Sequence, residues 1–225
     1  MRNTFNIFSI ALLLMMSANS IFSQTTSYKE RTFGLRGGMT MSKMTFKPTT
    51  IAQEMKNGLA FGVAYRYIEE KHFGIQVEFN YTQRGWKETL EDYPELYFDR
   101  TLNYIEVPFL SHIYFGNNKF RGFINLGPQI GYFISGSKNT NITEADISSG
   151  AYETAQQNLD VSKKLDYGIL GGGGIELRFG KHSFLVEGRY YFGLGDIFPN
   201  DKKDEFETSS NQTISVAATY FFRLK

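Results

Sequence analysis

From residue 33 onward the chain repeatedly places large apolar side chains on one parity and charged or small polar ones on the other. Phe73, Ile75, Val77, Phe79 and Tyr81 interleave with Gln76, Glu78, Asn80, Thr82 and Arg84, the period-2 signature of a strand with two different faces. The pattern predicts eight strands, over residues 33–41, 59–68, 73–84, 102–115, 120–135, 165–179, 183–194 and 213–224. The connections alternate in length. Residues 69–72, 116–119 and 180–182 make tight turns, whereas 42–58, 85–101, 136–164 and 195–212 are long, with a turn or two of helix expected over 151–159. Short turns at one rim and long loops at the other define an all-β, eight-stranded antiparallel up-and-down barrel, and an even strand number brings both ends of the sheet to the short-turn rim.

Alternation alone fits a soluble barrel as well as a transmembrane one, so volume has to decide. The apolar parity carries Phe33, Phe61, Tyr65, Phe79, Phe109, Phe115, Tyr132, Phe184, Phe192, Tyr220 and Phe222, among others. Eight strands enclose room for little more than one layer of side chains, so this set overfills the interior and belongs outside, in lipid. The opposite parity collects Arg36, Arg66, Glu78, Arg84, Glu106, Arg121, Asp166, Glu176, Arg178, Glu187, Arg189 and Arg223, seven arginines against five acids. An arginine facing lipid at mid-depth costs roughly 2–4 kcal/mol, and none falls on the apolar parity mid-strand. The lumen is therefore expected to hold a plug of paired arginines and carboxylates, because the planar guanidinium suits two-oxygen pairing in a crowded space. Leu110, Phe123, Phe133, Leu170, Leu185, Tyr191 and Phe221 also fall on the inward parity, and their bulk argues further against an open channel.

The N-terminus carries Arg2, an apolar run over residues 7–16 and small residues over 20–23, the plan of a secretory signal cleaved before Gln24. The run of about ten residues is short of the roughly 20 that a helical span needs. The expected division is a signal peptide over 1–23 and a barrel domain over 24–225. A formal net charge of +1 gives no bias toward nucleic acid, and the absence of cysteine excludes disulfides, thiolate metal sites and an anchor on an N-terminal cysteine.

Candidate chemistry is sparse. A lipid-modifying enzyme needs a histidine beside a nucleophile at the outer-leaflet rim, but His72 and His182 fall in tight turns at the opposite rim and His112 points inward near that end. Three histidines so dispersed make a poor metal site, and acidic residues such as Glu91, Asp92, Glu95 and Asp99 lack calcium-loop spacing. A phosphate-loop reading of 174–181 fails, since Ile175 stands where the first glycine is needed and His182 follows Lys181. No cofactor is expected. Trp86, with Tyr81, is expected to mark the outer membrane–water interface. Pro108 and Pro128 suggest ladder irregularities, and Gly171 to Gly174 a bare or sharply coiled patch. The last strand alternates Ile214, Val216, Ala218, Tyr220, Phe222 and Leu224 outward, similar to the terminal signal recognised by barrel-assembly machinery, although Arg223, Leu224 and Lys225 depart from an ending on Phe.

Four segments resemble the outer-membrane barrels common in Bacteroidetes and called PorT-like, a small porin-like β-barrel domain family. They are Asn103-Tyr104-Ile105-Glu106-Val107-Pro108, Asn125-Leu126-Gly127-Pro128-Gln129-Ile130-Gly131-Tyr132, Asp166-Tyr167-Gly168-Ile169 with the glycines after it, and the stretch from Glu187 through Gly195 to Ile197. The resemblance covers essentially the mature chain and implies the barrel fold and outer-membrane location, with a role in secretion for some members.

The expectation is a non-enzymatic integral outer-membrane barrel acting through its outer loops, in adhesion, surface recognition or envelope integrity. The alternatives are an accessory subunit of a secretion or assembly complex and a narrow pore. Expected partners are outer-membrane lipid and lipopolysaccharide, the barrel-assembly machinery and an envelope protein, with no nucleic acid.

Overall fold

A computed structural model of the chain describes residues 29–47, 53–90, 93–148, 157, 159–200 and 206–224. The elements are β1 (Glu30–Lys47), β2 (Gln53–Glu70), β3 (Phe73–Leu90), β4 (Tyr93–Gly116), β5 (Phe120–Thr140), a short helix α1 (Glu144–Ser148), β6 (Leu165–Phe179), β7 (His182–Asp196) and β8 (Thr208–Leu224). Each strand pairs antiparallel with its sequence neighbour and β1 pairs with β8, closing the barrel. All eight expected strands are present in the expected order. The helix expected over 151–159 lies largely outside the described residues, as does the segment 1–28.

Register fixes the width. Following paired residues once around the wall, from Arg31 through Tyr67, Ile75, Ser111, Leu126, Gly171, Tyr190 and Ile214, returns to Met41, ten residues further along β1. Eight strands with this stagger tilt by roughly 43° and leave a backbone radius of roughly 8 Å, an interior of the size that inward-pointing side chains fill. The pairing shows no register shift at Pro108 or Pro128. The ladders are interrupted instead, the β3–β4 pairing at Pro108 between Val77↔Phe109 and Asn80↔Glu106 and the β4–β5 pairing at Pro128 between Pro108↔Gln129 and Ser111↔Leu126, as a missing N–H requires.

The strands run much longer than the alternation indicated. β4 has 24 residues, where a bilayer crossing takes about 9–11, and β1, β2, β3, β5 and β8 also continue past the apolar band. Two of the expected long loops are therefore mostly strand: the β1–β2 connection shrinks to 48–52 and the β3–β4 connection to 91–92. The reason is an inversion of the pattern. Below Gly85 apolar residues face out and polar ones dominate the inside. Above it Met44, Phe46, Trp86, Phe98 and Leu102 are buried inside while Lys87 and Tyr97 face out, as in a soluble barrel. Gly85 sits at this switch with φ 146°, where a Cβ would lie 1.8 Å from the Arg100 carbonyl, and its N–H and carbonyl both bond the Ser42 hydroxyl. The changeover marks where lipid gives way to water.

Candidate functional site

The interior is filled in layers, and the lowest, near the short turns, is ionic. Arg178 reaches Glu30 at 2.5 Å and Arg66 reaches Glu176 at 2.7 Å, while Arg223 closes on Glu30 at 3.4 Å from the rim. The Arg66 guanidinium also lies 4.5 Å from the Phe221 ring centre, within an apolar collar of Ala64, Ile68, Tyr114, Phe123 and Leu185. His112 is fully buried and donates from Nδ1 to Asn125 Oδ1 at 2.8 Å, leaving Nε2 to accept from Arg66 at 3.3 Å. Asn125 in turn donates to Glu187, so a continuous chain of hydrogen bonds joins this layer to the next.

Mid-barrel, Glu78 accepts both terminal nitrogens of Arg189 and the side-chain amides of Gln76 and Asn80. Glu187 accepts Arg36 at 3.0 Å and Arg189 at 2.8 Å. Glycines make the space for this knot: Gly172 pairs with Arg189 and Gly174 with Glu187, and a Cβ on Gly172 would lie 2.7 Å from Arg189 Cγ. The bare patch at Gly171–Gly174 is thus covered from within by an ion pair, on its inward-facing residues.

Higher still, Arg84 joins Glu106 and Asp166 at 2.5 and 2.8 Å beneath the rings of Tyr191 and Tyr104. Thr82 and Tyr191 donate to the same two carboxylates. Above this layer the outer end closes with stacked and edge-on contacts among Phe46, Trp86, Phe98, Phe198 and Phe206. Trp86 donates to Glu88, Gln157 donates to the other oxygen of Glu88, and Arg100 lies over Trp86 and Phe198.

The structure places the charged residues of the inward parity inside the lumen, from Arg36 and Arg66 to Arg189, with Arg223 at its mouth. The sequence reading misses Glu30, Glu88 and Arg100, because its bounds begin β1 at 33, end β3 at 84 and begin β4 at 102; continuing each strand's parity past those bounds finds all three. With them, seven buried arginines face seven buried carboxylates among the described residues. Trp86 requires a correction: it is fully buried under the outer cap, its indole N–H held by Glu88, and does not face the membrane interface. Seven inward apolar residues were expected; six are buried, and Phe133 is half-buried beside a bulge, edge-on to Tyr104. Among the described residues no group of histidine and acidic side chains is arranged to hold a metal, and both ring nitrogens of His112 are engaged at the end away from the outer leaflet.

Residues 22–199 match the profile described as outer membrane protein beta-barrel domain, most of the chain. The protein belongs to this family. Membership places it in the outer membrane, and the closed eight-stranded ring is the architecture such a span requires. Among solved structures the family member is similar to the attachment invasion locus protein Ail of Yersinia pestis (16% identity, 86% of this chain and 99% of that one, TM-score 0.42). It is also similar to OprG of Pseudomonas aeruginosa (11%, 89% and 99%, TM-score 0.47) and to Neisserial surface protein A (10%, 85% and 97%, TM-score 0.45). No curated protein matches the chain significantly.

Proposed function

We propose that this outer-membrane barrel is a non-conducting, non-enzymatic scaffold that holds a raised platform above the outer leaflet for surface recognition or envelope integrity. The observation that carries the reading is the prolongation of the barrel beyond its apolar band. A 24-residue β4 projects roughly 55 Å along the barrel axis against an apolar band about 25 Å tall. The projecting wall is welded by the Phe46–Trp86–Phe198–Phe206 cluster, so the outer connections stand on a rigid base. A leader over residues 1–23, removed before assembly, completes the proposal. Lipid and lipopolysaccharide surround the wall, and barrel-assembly machinery inserts it. The PorT-like affinity is carried by the Asn103–Pro108 and Glu187–Ile197 stretches and suggests the competing role of a subunit in an envelope secretion complex.

Affinity capture of the intact protein from native membranes in mild detergent separates these readings. A scaffold acting alone elutes free of a stoichiometric envelope complex, and replacing the outer connection 141–164 by a short turn abolishes binding to the captured surface ligand while the barrel still folds. Co-elution with a large complex that survives that replacement would favour the subunit role instead.

A further inference from the structure

The short-turn rim carries a pocket that neither the plug nor the platform uses. It lies between the β2–β3 and β4–β5 turns, encloses about 240 Å³, and is lined by Lys71, His72, Tyr114, Asn117, Asn118 and Arg121. None of these lining residues is acidic. Its floor is the Tyr114 ring, with the Arg121 guanidinium 4.1 Å from the ring centre and the His72 ring 5.7 Å away. Arg121 is almost wholly buried and Lys71 is exposed, so one cation is fixed at the base and the other is mobile at the mouth.

The walls are held in place before any ligand arrives. His72 adopts the left-handed conformation, φ 77°, rare for a residue with a side chain. It is pinned there by two reciprocal contacts with β4: its Nδ1 to the Tyr114 carbonyl at 2.9 Å, and the Tyr114 N–H to its own carbonyl at 3.0 Å. Backbone strain maintained in this way concentrates at ligand clamps. On the other side the Asn117 carboxamide oxygen accepts the N–H groups of Lys119 and Phe120, which fixes that turn. Around the short-turn rim as a whole Lys29, Arg31, Lys119, Lys181 and Arg223 outnumber Glu30, Glu69 and Glu70. Although Lys29 pairs with Glu69 and Arg223 with Glu30, the rim keeps a positive balance.

We propose that this pocket binds a phosphate group, with Arg121 and Lys71 as its two cationic contacts and Asn117 and Asn118 as neutral donors. Two cations of different mobility beside amide donors match the several oxygens of a phosphodiester or a phosphate ion. The short-turn rim lies at the depth of the inner-leaflet headgroups, so the phosphate comes either from an anionic phospholipid or from solution.

The test is native mass spectrometry of the mature protein released from detergent micelles, with phosphatidylglycerol and phosphatidylcholine as probes and inorganic phosphate as competitor. The proposal predicts one retained phosphatidylglycerol per chain, weakened about tenfold in Lys71→Ala and further in Lys71→Ala/Arg121→Lys. Lys56→Ala at the far end leaves it unchanged. Competition by inorganic phosphate assigns the site to the free ion, and resistance to it assigns the site to the lipid headgroup. Lys71→Ala alters only an exposed turn, so it remains informative if Arg121→Lys fails to fold. Equal retention of both lipids, no effect of Lys71→Ala, or capture of an acidic peptide in place of any phosphatidylglycerol would overturn the proposal.

Discussion

Arg189 grips Glu78 with both terminal nitrogens, at 2.8 and 2.5 Å, across 111 positions of sequence and from the opposite side of the barrel. The same guanidinium reaches Glu187 at 2.8 Å, so one side chain neutralises much of the mid-barrel layer. Removing one member of a buried pair strands the other, which is costlier than the pair is favourable. Arg189→Met should lower unfolding stability in micelles by about 3–5 kcal/mol. Glu78→Gln introduced on top of Arg189→Met should recover part of the loss in denaturant titrations followed by tryptophan emission. A double variant no better than the single one would show that Glu78 is not the group stranded.

The glycines opposite that pair are occupied space. A Cβ on Gly172 would meet Arg189 Cγ at 2.7 Å and the Gly188 carbonyl at 2.5 Å, and the second of these is backbone that cannot swing away. Gly172→Val should destabilise by about 1–3 kcal/mol or more through overpacking. Gly188→Ala, at a position with nothing within 4 Å, should be close to neutral. The contrast is read from heat-modifiable gel mobility across a temperature series.

Trp86 is the chain's single tryptophan, and its burial under the outer cap has a spectroscopic consequence. Its emission should be blue-shifted, poorly quenched by acrylamide and unaffected by brominated acyl chains. Quenching by brominated lipid would return the residue to the membrane interface. Phe198→Ala, which removes a stacking partner of Phe46, should admit acrylamide without unfolding the barrel.

Helix α1 offers a pH response in the outer connection. Thr143 donates its hydroxyl and its N–H to the Asp146 carboxylate, and the Asp146 N–H returns a bond to Thr143 Oγ1. The hydroxyl bond, then the backbone bond, hold the Asp146 carboxyl below its ordinary value. A depressed folded-state value means the cap is fully present above the unfolded carboxyl's value and is lost as pH falls through the folded one. Amide protection over 144–148, taken relative to the intrinsic exchange rate at each pH, should therefore fall only in acid, and Asp146→Ala should remove it already at neutral pH.

Lipid-facing and lumen-facing substitutions should diverge. Ile169 is half exposed on the outer wall, so Ile169→Arg should cost roughly 2–4 kcal/mol of folding stability in vesicles. Lys87→Glu, above the band, should change stability by less than about 0.5 kcal/mol. Refolding titrations against lipid vesicles make the comparison.

Strand count, order, closure and the contents of the mid-barrel lumen are legible in the sequence because one physical rule governs them: within the lipid band the two parities of a strand must differ. That rule alone puts Arg84 and Glu106 on the same side of the wall. It stops holding at Gly85, where water replaces lipid outside and the apolar residues move in. Trp86, Phe98 and Met44 then carry the same parity as Arg84 with the opposite chemistry, so the alternation no longer resembles a membrane strand and reads as loop. Glu88 and Arg100 are lost with it. The rim pocket has no sequence signature, because it depends on two turns 45 residues apart, at Lys71 and Gly116, meeting across the β3–β4 hairpin.

Planar-bilayer recording of the purified mature barrel in concentrated potassium chloride tests the central claim most directly. Seven arginines against seven carboxylates under an aromatic cap predict a membrane that stays electrically silent after insertion, with insertion verified by protease protection. Reproducible unitary openings from the unmodified protein, carried through the lumen and altered by Arg189→Ala, would contradict a sealed interior.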